Sequence, residues 1–276
     1  MDLYCDIRGS GEPILCLHGH PGSARTMAVF SERLSRQYQT LAPDLRGYGA
    51  SRVRQPFHLE ESLGDLVALL DRQGINQCWV LGWSLGGILS LELALRHPKR
   101  VRGLILIATA ARPGGNHPRP SWLEVTNTGL ASLINLVIPG HPWVIRHLGQ
   151  NSLYRYLLQQ HTPAAYRRLA KEGFWAFVNT SRHAHQALNQ AMAKGYNRLP
   201  AVNQITVPCL VLCGEQDRHI TAQASLETAR HLPLSESRCY ANTAHLLPWE
   251  IPDLLLNDIE AWLSNHASAM TVTPDQ

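Results

Sequence analysis

Nucleophilic acyl chemistry needs an activated hydroxyl or thiol, and in this sequence of 276 residues Ser84 has the setting for it. It stands in Val80-Leu81-Gly82-Trp83-Ser84-Leu85-Gly86-Gly87, after an apolar run from Cys78 and before leucines at helical spacing, Leu85, Leu89 and Leu93. The pattern predicts a buried strand that turns sharply through serine into a helix. A side chain at such a turn is held in an unfavourable backbone conformation, and the chain needs small residues where it doubles back. Gly82 and Gly86 stand two positions either side. The turn exposes the Ser84 hydroxyl at the end of the strand and puts the Leu85 amide at a helix N-terminus, where it can donate to a developing oxyanion.

A reacting serine also needs a base for its proton and a buried anion to orient and stabilise the imidazolium that forms. His245 is the candidate base: it lies in the loop Ala241-Asn242-Thr243-Ala244-His245, late in the chain and just before the last helix. Glu215 and Asp217 both offer a carboxylate after an earlier strand, in Gly214-Glu215-Gln216-Asp217, and their positions alone leave the two open. His18 and His20 flank a turn, His18-Gly19-His20-Pro21-Gly22, but the further ligands a metal site needs do not follow nearby. His18 is expected to hold that turn in shape by hydrogen bonds. His183 and His185 are two apart on an expected helix and point to different faces, which argues against a metal pair.

The elements that must position these groups alternate. Strands are expected over 3–7, 13–17, 39–43, 78–81, 101–109, 207–213 and 237–240, and helices over 23–38, 59–73, 85–97, 222–231 and 253–263. Such alternation implies a mostly parallel, doubly wound sheet whose ligands bind beyond the carboxyl ends of its strands. Between 111 and 204 no buried strand is expected; helical segments over 122–137, 143–148, 153–160, 164–178 and 184–192 carry many aromatic residues. A helical insert of that size reads as a cap over the site, with Trp83, Trp122 and Trp175 as candidates to line an apolar pocket. Asp44 and Arg46, in the glycine-rich loop Asp44-Leu45-Arg46-Gly47-Tyr48-Gly49, are expected to form a local ion pair. The organisation is thus a core of 1–110 and 205–265, a helical cap of 111–204 and a flexible tail of 266–276.

Composition bounds the function. A hydrophobic content of 45% supports a sizeable core, and a net charge of +4 with scattered basic residues shows no nucleic-acid footprint. The first residues lack a signal-peptide pattern and no apolar run is long enough to span a bilayer, so a soluble, cytoplasmic protein is expected. The six cysteines lie mostly in strand-like runs and read as reduced core residues. With neither a dinucleotide fingerprint nor a metal-ligand cluster, no cofactor and no metal are expected, the expected partner is a small molecule, and the oligomeric state is left open.

Six ordered motifs, His-Gly-His-Pro-Gly, Asp-Leu-Arg-Gly-Tyr-Gly-Ala-Ser, Gly-Trp-Ser-Leu-Gly-Gly, Arg-His-Pro-Lys-Arg-Val, Gly-Glu-Gln-Asp and Asn-Thr-Ala-His, resemble those of the α/β-hydrolase superfamily, from near Leu3 to Leu263 with the cap left out. The resemblance implies that fold, with the cap inserted before the last two strands, and a triad in the order Ser84, Asp217, His245. It assigns the acid to the fourth position of the Gly-x-x-Asp pattern, Asp217, and the second oxyanion donor to the residue after His-Gly, the amide of His20. Thr221 departs from the proline common at its position. Some motifs are similar to epoxide hydrolases, which attack through an aspartate where Ser84 stands here; others resemble the esterases of pimeloyl-carrier-protein methyl ester. Hydrolysis of a carboxylic ester with an apolar acyl or ring-containing part is the implied activity. The same triad also serves C–C bond hydrolases, acyltransferases and cofactor-free haloperoxidases or perhydrolases, and a ligand receptor on this scaffold is the alternative from another class.

Overall fold

A computed structural model of the chain describes residues 1–270. The chain opens with an edge strand, β1 (Cys5–Arg8), and then alternates: β2 (Pro13–Leu17), α1 (Ala28–Leu34), β3 (Gln39–Pro43), α2 (Glu61–Arg72), β4 (Cys78–Trp83), α3 (Leu85–Arg96) and β5 (Val101–Ile107). An all-helical stretch follows: α4 (Trp122–Val137), α5 (Pro142–His147), α6 (Pro163–Arg168), α7 (Phe174–Val178) and α8 (Arg182–Ala193), with a π-turn, Leu169–Gly173, joining α6 to α7. The alternation resumes with β6 (Cys209–Gly214), α9 (Ala222–His231), β7 (Ser235–Tyr240), α10 (Leu247–Glu250) and α11 (Pro252–Met270).

The seven strands form one sheet in the order β1-β3-β2-β4-β5-β6-β7, parallel throughout except for β1, which runs antiparallel to β3. From β2 the chain crosses outward to β3; from β4 it winds the other way through β5, β6 and β7. The switch between the two directions lies at the carboxyl ends of β2 and β4, which pair with Leu17 opposite Gly82. A crevice opens where connections leave in opposite directions. Thus the loop after β2 and the turn after β4 meet at one place.

Period-two alternation builds a core on each face of the sheet. Val80, Leu104, Leu106 and Val211 join the core packed by α2 and α3, whereas Leu81, Ile105, Ile107 and Leu212 join the one packed by α1 and α11. Strands buried on both faces read as continuous apolar runs, and β4 and β6 are buried at every position.

Some expectations are corrected. The span 153–160 is not one helix: a 3-10 turn, Leu153–Tyr156, gives way to irregular chain, because Pro163 disfavours helix at Thr162 and the amides of Gln159 and Gln160 turn to the Glu250 carboxylate at 2.9 and 2.6 Å. Helix α11 continues to Met270, into the expected tail; the rest of that tail, 271–276, lies outside the described residues. No helix among the described residues is long and apolar enough to cross a membrane.

Candidate active site

Ser84 joins β4 to α3 with φ 54° and ψ −114°, a conformation that side chains other than glycine rarely hold. Its neighbours fix it there. The Ser84 amide donates to Ile107 O at 2.9 Å, and its carbonyl accepts from Thr109 Oγ1 at 2.8 Å and from the Gly87 amide at 2.9 Å. The sharp turn presses α3 against β2: a Cβ on Gly86 would lie 2.0 Å from Leu17 O, and one on Gly82 would lie 2.4 Å from Gly86 O. Gly86→Ala is therefore expected to cost more than about 3 kcal/mol, at the upper end for overpacking. At Gly64, in α2, a Cβ would have nothing within 4 Å, and Gly64→Ala should stabilise by roughly 0.5–1 kcal/mol. Urea midpoints of the two variants should move in opposite directions.

The three side chains form one hydrogen-bonded row. His245 Nδ1 lies 2.8 Å from Asp217 Oδ2, and His245 Nε2 lies 3.1 Å from Ser84 Oγ. A carboxylate accepts only, so Nδ1 carries the proton and Nε2 is left to accept from the serine hydroxyl. The other Asp217 oxygen, Oδ1, accepts the amides of His219 at 2.8 Å and Ile220 at 3.0 Å, which fixes the carboxylate plane. All three residues are buried. Glu215, the rival carboxylate, is exposed and bonded to Gln216.

The loop after β2 crosses directly over the serine, since a Cβ on Gly19 would come within 3.2 Å of Ser84 Cβ. Among the described residues the amides of His20 and Leu85 have no acceptor. His18 holds this loop: its Nδ1 donates to Gly19 O at 2.8 Å and its Nε2 accepts the Leu45 amide at 3.0 Å. Asp44 does not pair with Arg46. Its oxygens accept the amides of Ala24 and Ala50 at 2.6 and 2.7 Å, tying two loops together, while Arg46 reaches Asp65 at 2.6 Å and Glu61 at 3.1 Å. Both Asp44 oxygens are taken by backbone amides, and two carboxylates on α2 hold the Arg46 guanidinium.

The tryptophans behave differently from expectation. Trp83 is buried with its Nε1 donating to His245 O at 3.3 Å and its ring against Trp249, so it packs behind the site. Trp122 is 78% exposed at the start of α4, and Trp175 lines a concavity with Leu136, Pro139, Arg167 and Lys171 that includes none of Ser84, Asp217 and His245. Neither supplies an apolar wall at the serine. Those side chains point outward because the inner faces of α4 and the α6–α7 run are taken by smaller or polar residues such as Ala131, Asn135 and Ala176.

Around the row stand histidines whose placement the linear order concealed. The His219 ring lies 4.7 Å from that of His245, and the His20 ring lies 4.6 Å from that of His185 on α8. Burial, then the neighbouring His245, pushes His219 down to about 4; burial, then His185, pushes His20 down to about 3. His18 is lowered by burial too, against the bond to Gly19. His219 could have been noticed as the second residue after Asp217; nothing in the sequence joins His185 to His20.

These imidazoles bind protons more weakly in the fold than in the unfolded chain, so their contribution to stability is complete above the ordinary value near 6.5 and is lost as the pH falls. One that stays neutral at pH 5 withdraws up to about 2 kcal/mol, and much less for His219, which solvent reaches and screens. Glu172 and Glu250, raised by burial, act in the opposite sense and offset part of this loss. The melting temperature is expected to fall between pH 7 and pH 5, and a flat profile across that window would contradict the assignment.

A family model described as alpha/beta hydrolase fold matches residues 12–252, and the chain belongs to that family. It is 29% identical over 272 residues to a 2-hydroxymuconate semialdehyde hydrolase of Pseudomonas putida, covering 93% of this chain and 89% of that one. To a pimeloyl-[acyl-carrier protein] methyl ester esterase of Vibrio cholerae it is 25% identical over 247 residues, 89% of this chain and 91% of the relative. The solved structure of a thermophilic esterase from Thermogutta terrifontis superposes with a TM-score of 0.74 at 23% identity, covering 96% of this chain and 93% of that one, which is a likeness of fold.

Proposed function

We propose that the protein is a serine hydrolase that cleaves a carboxylic ester through an acyl-enzyme, with Ser84 as nucleophile, His245 as general base and acid, and Asp217 as the orienting carboxylate. One observation carries the reading: the unbroken row from Ser84 Oγ to His245 Nε2 at 3.1 Å and from Nδ1 to Asp217 Oδ2 at 2.8 Å. Two amides, of Leu85 next to Ser84 and of His20 next to Gly19, have no acceptor among the described residues, which supports their role as oxyanion donors. His245 takes the Ser84 proton as Oγ attacks the acyl carbonyl, and the two amides stabilise the oxyanion. His245 then protonates the leaving alcohol. In the second half it takes a proton from water as the oxygen attacks the acyl carbon, and it returns that proton to Ser84 Oγ as the acyl–Oγ bond breaks and the acid leaves.

In this reading residues 111–204 are a cap over a core of 1–110 and 205–265, and the six free cysteines accord with a cytoplasmic setting. A second reading, hydrolysis of a C–C bond by the same groups, is favoured by the relative named for a semialdehyde hydrolase. Hydrolysis of a p-nitrophenyl ester series of rising acyl length, with fluorophosphonate labelling of Ser84, tests the first. Turnover with a chain-length optimum supports it; labelling without turnover of any ester moves the case to the second reading.

A further inference from the structure

We infer that the approach to Ser84 selects a substrate bearing an uncharged oxygen function, a hydroxyl or keto group away from the scissile carbonyl, and that His185 and His219 are the residues that recognise it. The inference rests on the ester-hydrolase reading above and names its substrate class. Four imidazoles border the reacting row, two from the core and two from the helical insert. His20, in the loop after β2, spends Nδ1 on Tyr48 Oη at 2.7 Å and keeps Nε2 free. His185, on α8, meets His20 edge to face at 4.6 Å and Phe177 at 6.2 Å, and its ring nitrogens have no hydrogen bond among the described residues.

On the other side, the His219 ring touches His245 at 4.7 Å and stacks on His117 at 6.0 Å with an interplanar angle of 10°. It makes no hydrogen bond through its nitrogens among the described residues; His117 uses only Nδ1, on Pro118 O at 3.0 Å. His20 follows Gly19, which lies against Ser84, and the His219 ring lies against His245, so the two pairs border the reacting row at its two ends. Each free ring presents a donor and an acceptor. A substrate that covers these rings, half-buried for His20 and His185 and exposed for His219, displaces their water, and one that offers only methylenes leaves them unpaired.

The charge state selects further. The ring contacts of His20, His185 and His219 are to Tyr48, Phe177, His117, His245 and one another, and no lysine or arginine is stacked on or bonded to them among the described residues. A carboxylated acyl chain would be repelled by the Asp217 carboxylate behind His245. A hydroxyl, which both donates and accepts, matches a neutral imidazole; a keto oxygen matches its N–H. An aromatic-lined, purely apolar pocket is not what surrounds this serine.

The test compares kcat/KM for methyl butanoate, methyl 3-hydroxybutanoate, 2-hydroxyethyl butanoate and monomethyl succinate by proton release. One of the two hydroxylated esters is expected to exceed both the unsubstituted and the carboxylated ester by roughly tenfold or more, the scale of one to two hydrogen bonds to an otherwise unpaired site. In His185→Phe and His219→Phe the ratio of hydroxylated to unsubstituted ester should fall toward one, chiefly through KM. His185→Gln and His219→Gln, which keep a neutral donor and acceptor, should recover part of it and guard against a variant that fails to fold. A preference for methyl butanoate or monomethyl succinate overturns the inference, as does a ratio that survives both phenylalanine substitutions. Ester turnover that persists in Ser84→Ala overturns the hydrolase reading beneath it, a separable failure.

Discussion

Ser84→Ala is expected to fold as the wild type does and to lose ester turnover by roughly four to six orders of magnitude, the range for removing a nucleophile that works as a unit with its base. Among the described residues the hydroxyl's hydrogen bond is to His245 Nε2, and the strained turn is held by the Ser84 backbone and by Gly82 and Gly86, none of which the substitution touches. The amides of His20 and Leu85 remain, so a small residual rate is compatible with the proposal. The measurement is turnover with the p-nitrophenyl series beside a melting curve. Retained turnover in a folded variant would remove Ser84 from the chemistry.

Asp217→Asn should cost about four orders of magnitude in kcat, the scale for reversing the tautomer of the base. The asparagine is isosteric, and its oxygen can continue to accept the His219 and Ile220 amides now bonded to Oδ1. Its NH₂ group then faces His245 Nδ1. A donor there forces the ring proton to Nε2, where it points at Ser84 Oγ and blocks proton acceptance. Because the amides stay satisfied, stability should change little. A loss under tenfold would show that Asp217 does not orient the base.

Much of this architecture is legible in local pattern. The strand, turn and helix at Ser84 announce themselves because burial on both faces makes β4 apolar throughout and the turn demands glycine at Gly82 and Gly86. The pairing of His245 with Ser84 spans 161 residues, and only the order of motifs hints at it. What fails to show is whatever depends on competition between distant partners. Asp44 and Arg46 look paired, yet each finds a better-placed partner, backbone amides for one and Asp65 for the other. Trp122 and Trp175 read as pocket lining because aromatic content says nothing about which helix face turns inward. His185 reads as an ordinary helix residue because its neighbour, His20, arrives from a loop at the other end of the chain.

The bonds of Gln159 and Gln160 to Glu250 have a mechanical consequence. The same carboxylate accepts the Ala244 amide at 2.8 Å, and Leu157 O accepts the Leu246 amide at 2.9 Å, so the helical insert is stitched to the residues on both sides of His245. Swinging the insert away from that side would drag the base off the serine. Across the site, His185 meets His20 and His117 meets His219 through ring contacts alone, with no hydrogen bond between them among the described residues. That side is fastened by the backbone as well, since the Asn116 amide donates to Arg218 O and the Thr221 amide to Gly114 O, both at 3.0 Å, and the Ser181 amide to Gly47 O at 2.9 Å; the insert thus braces the reacting row from several directions, and the base stays registered to the serine.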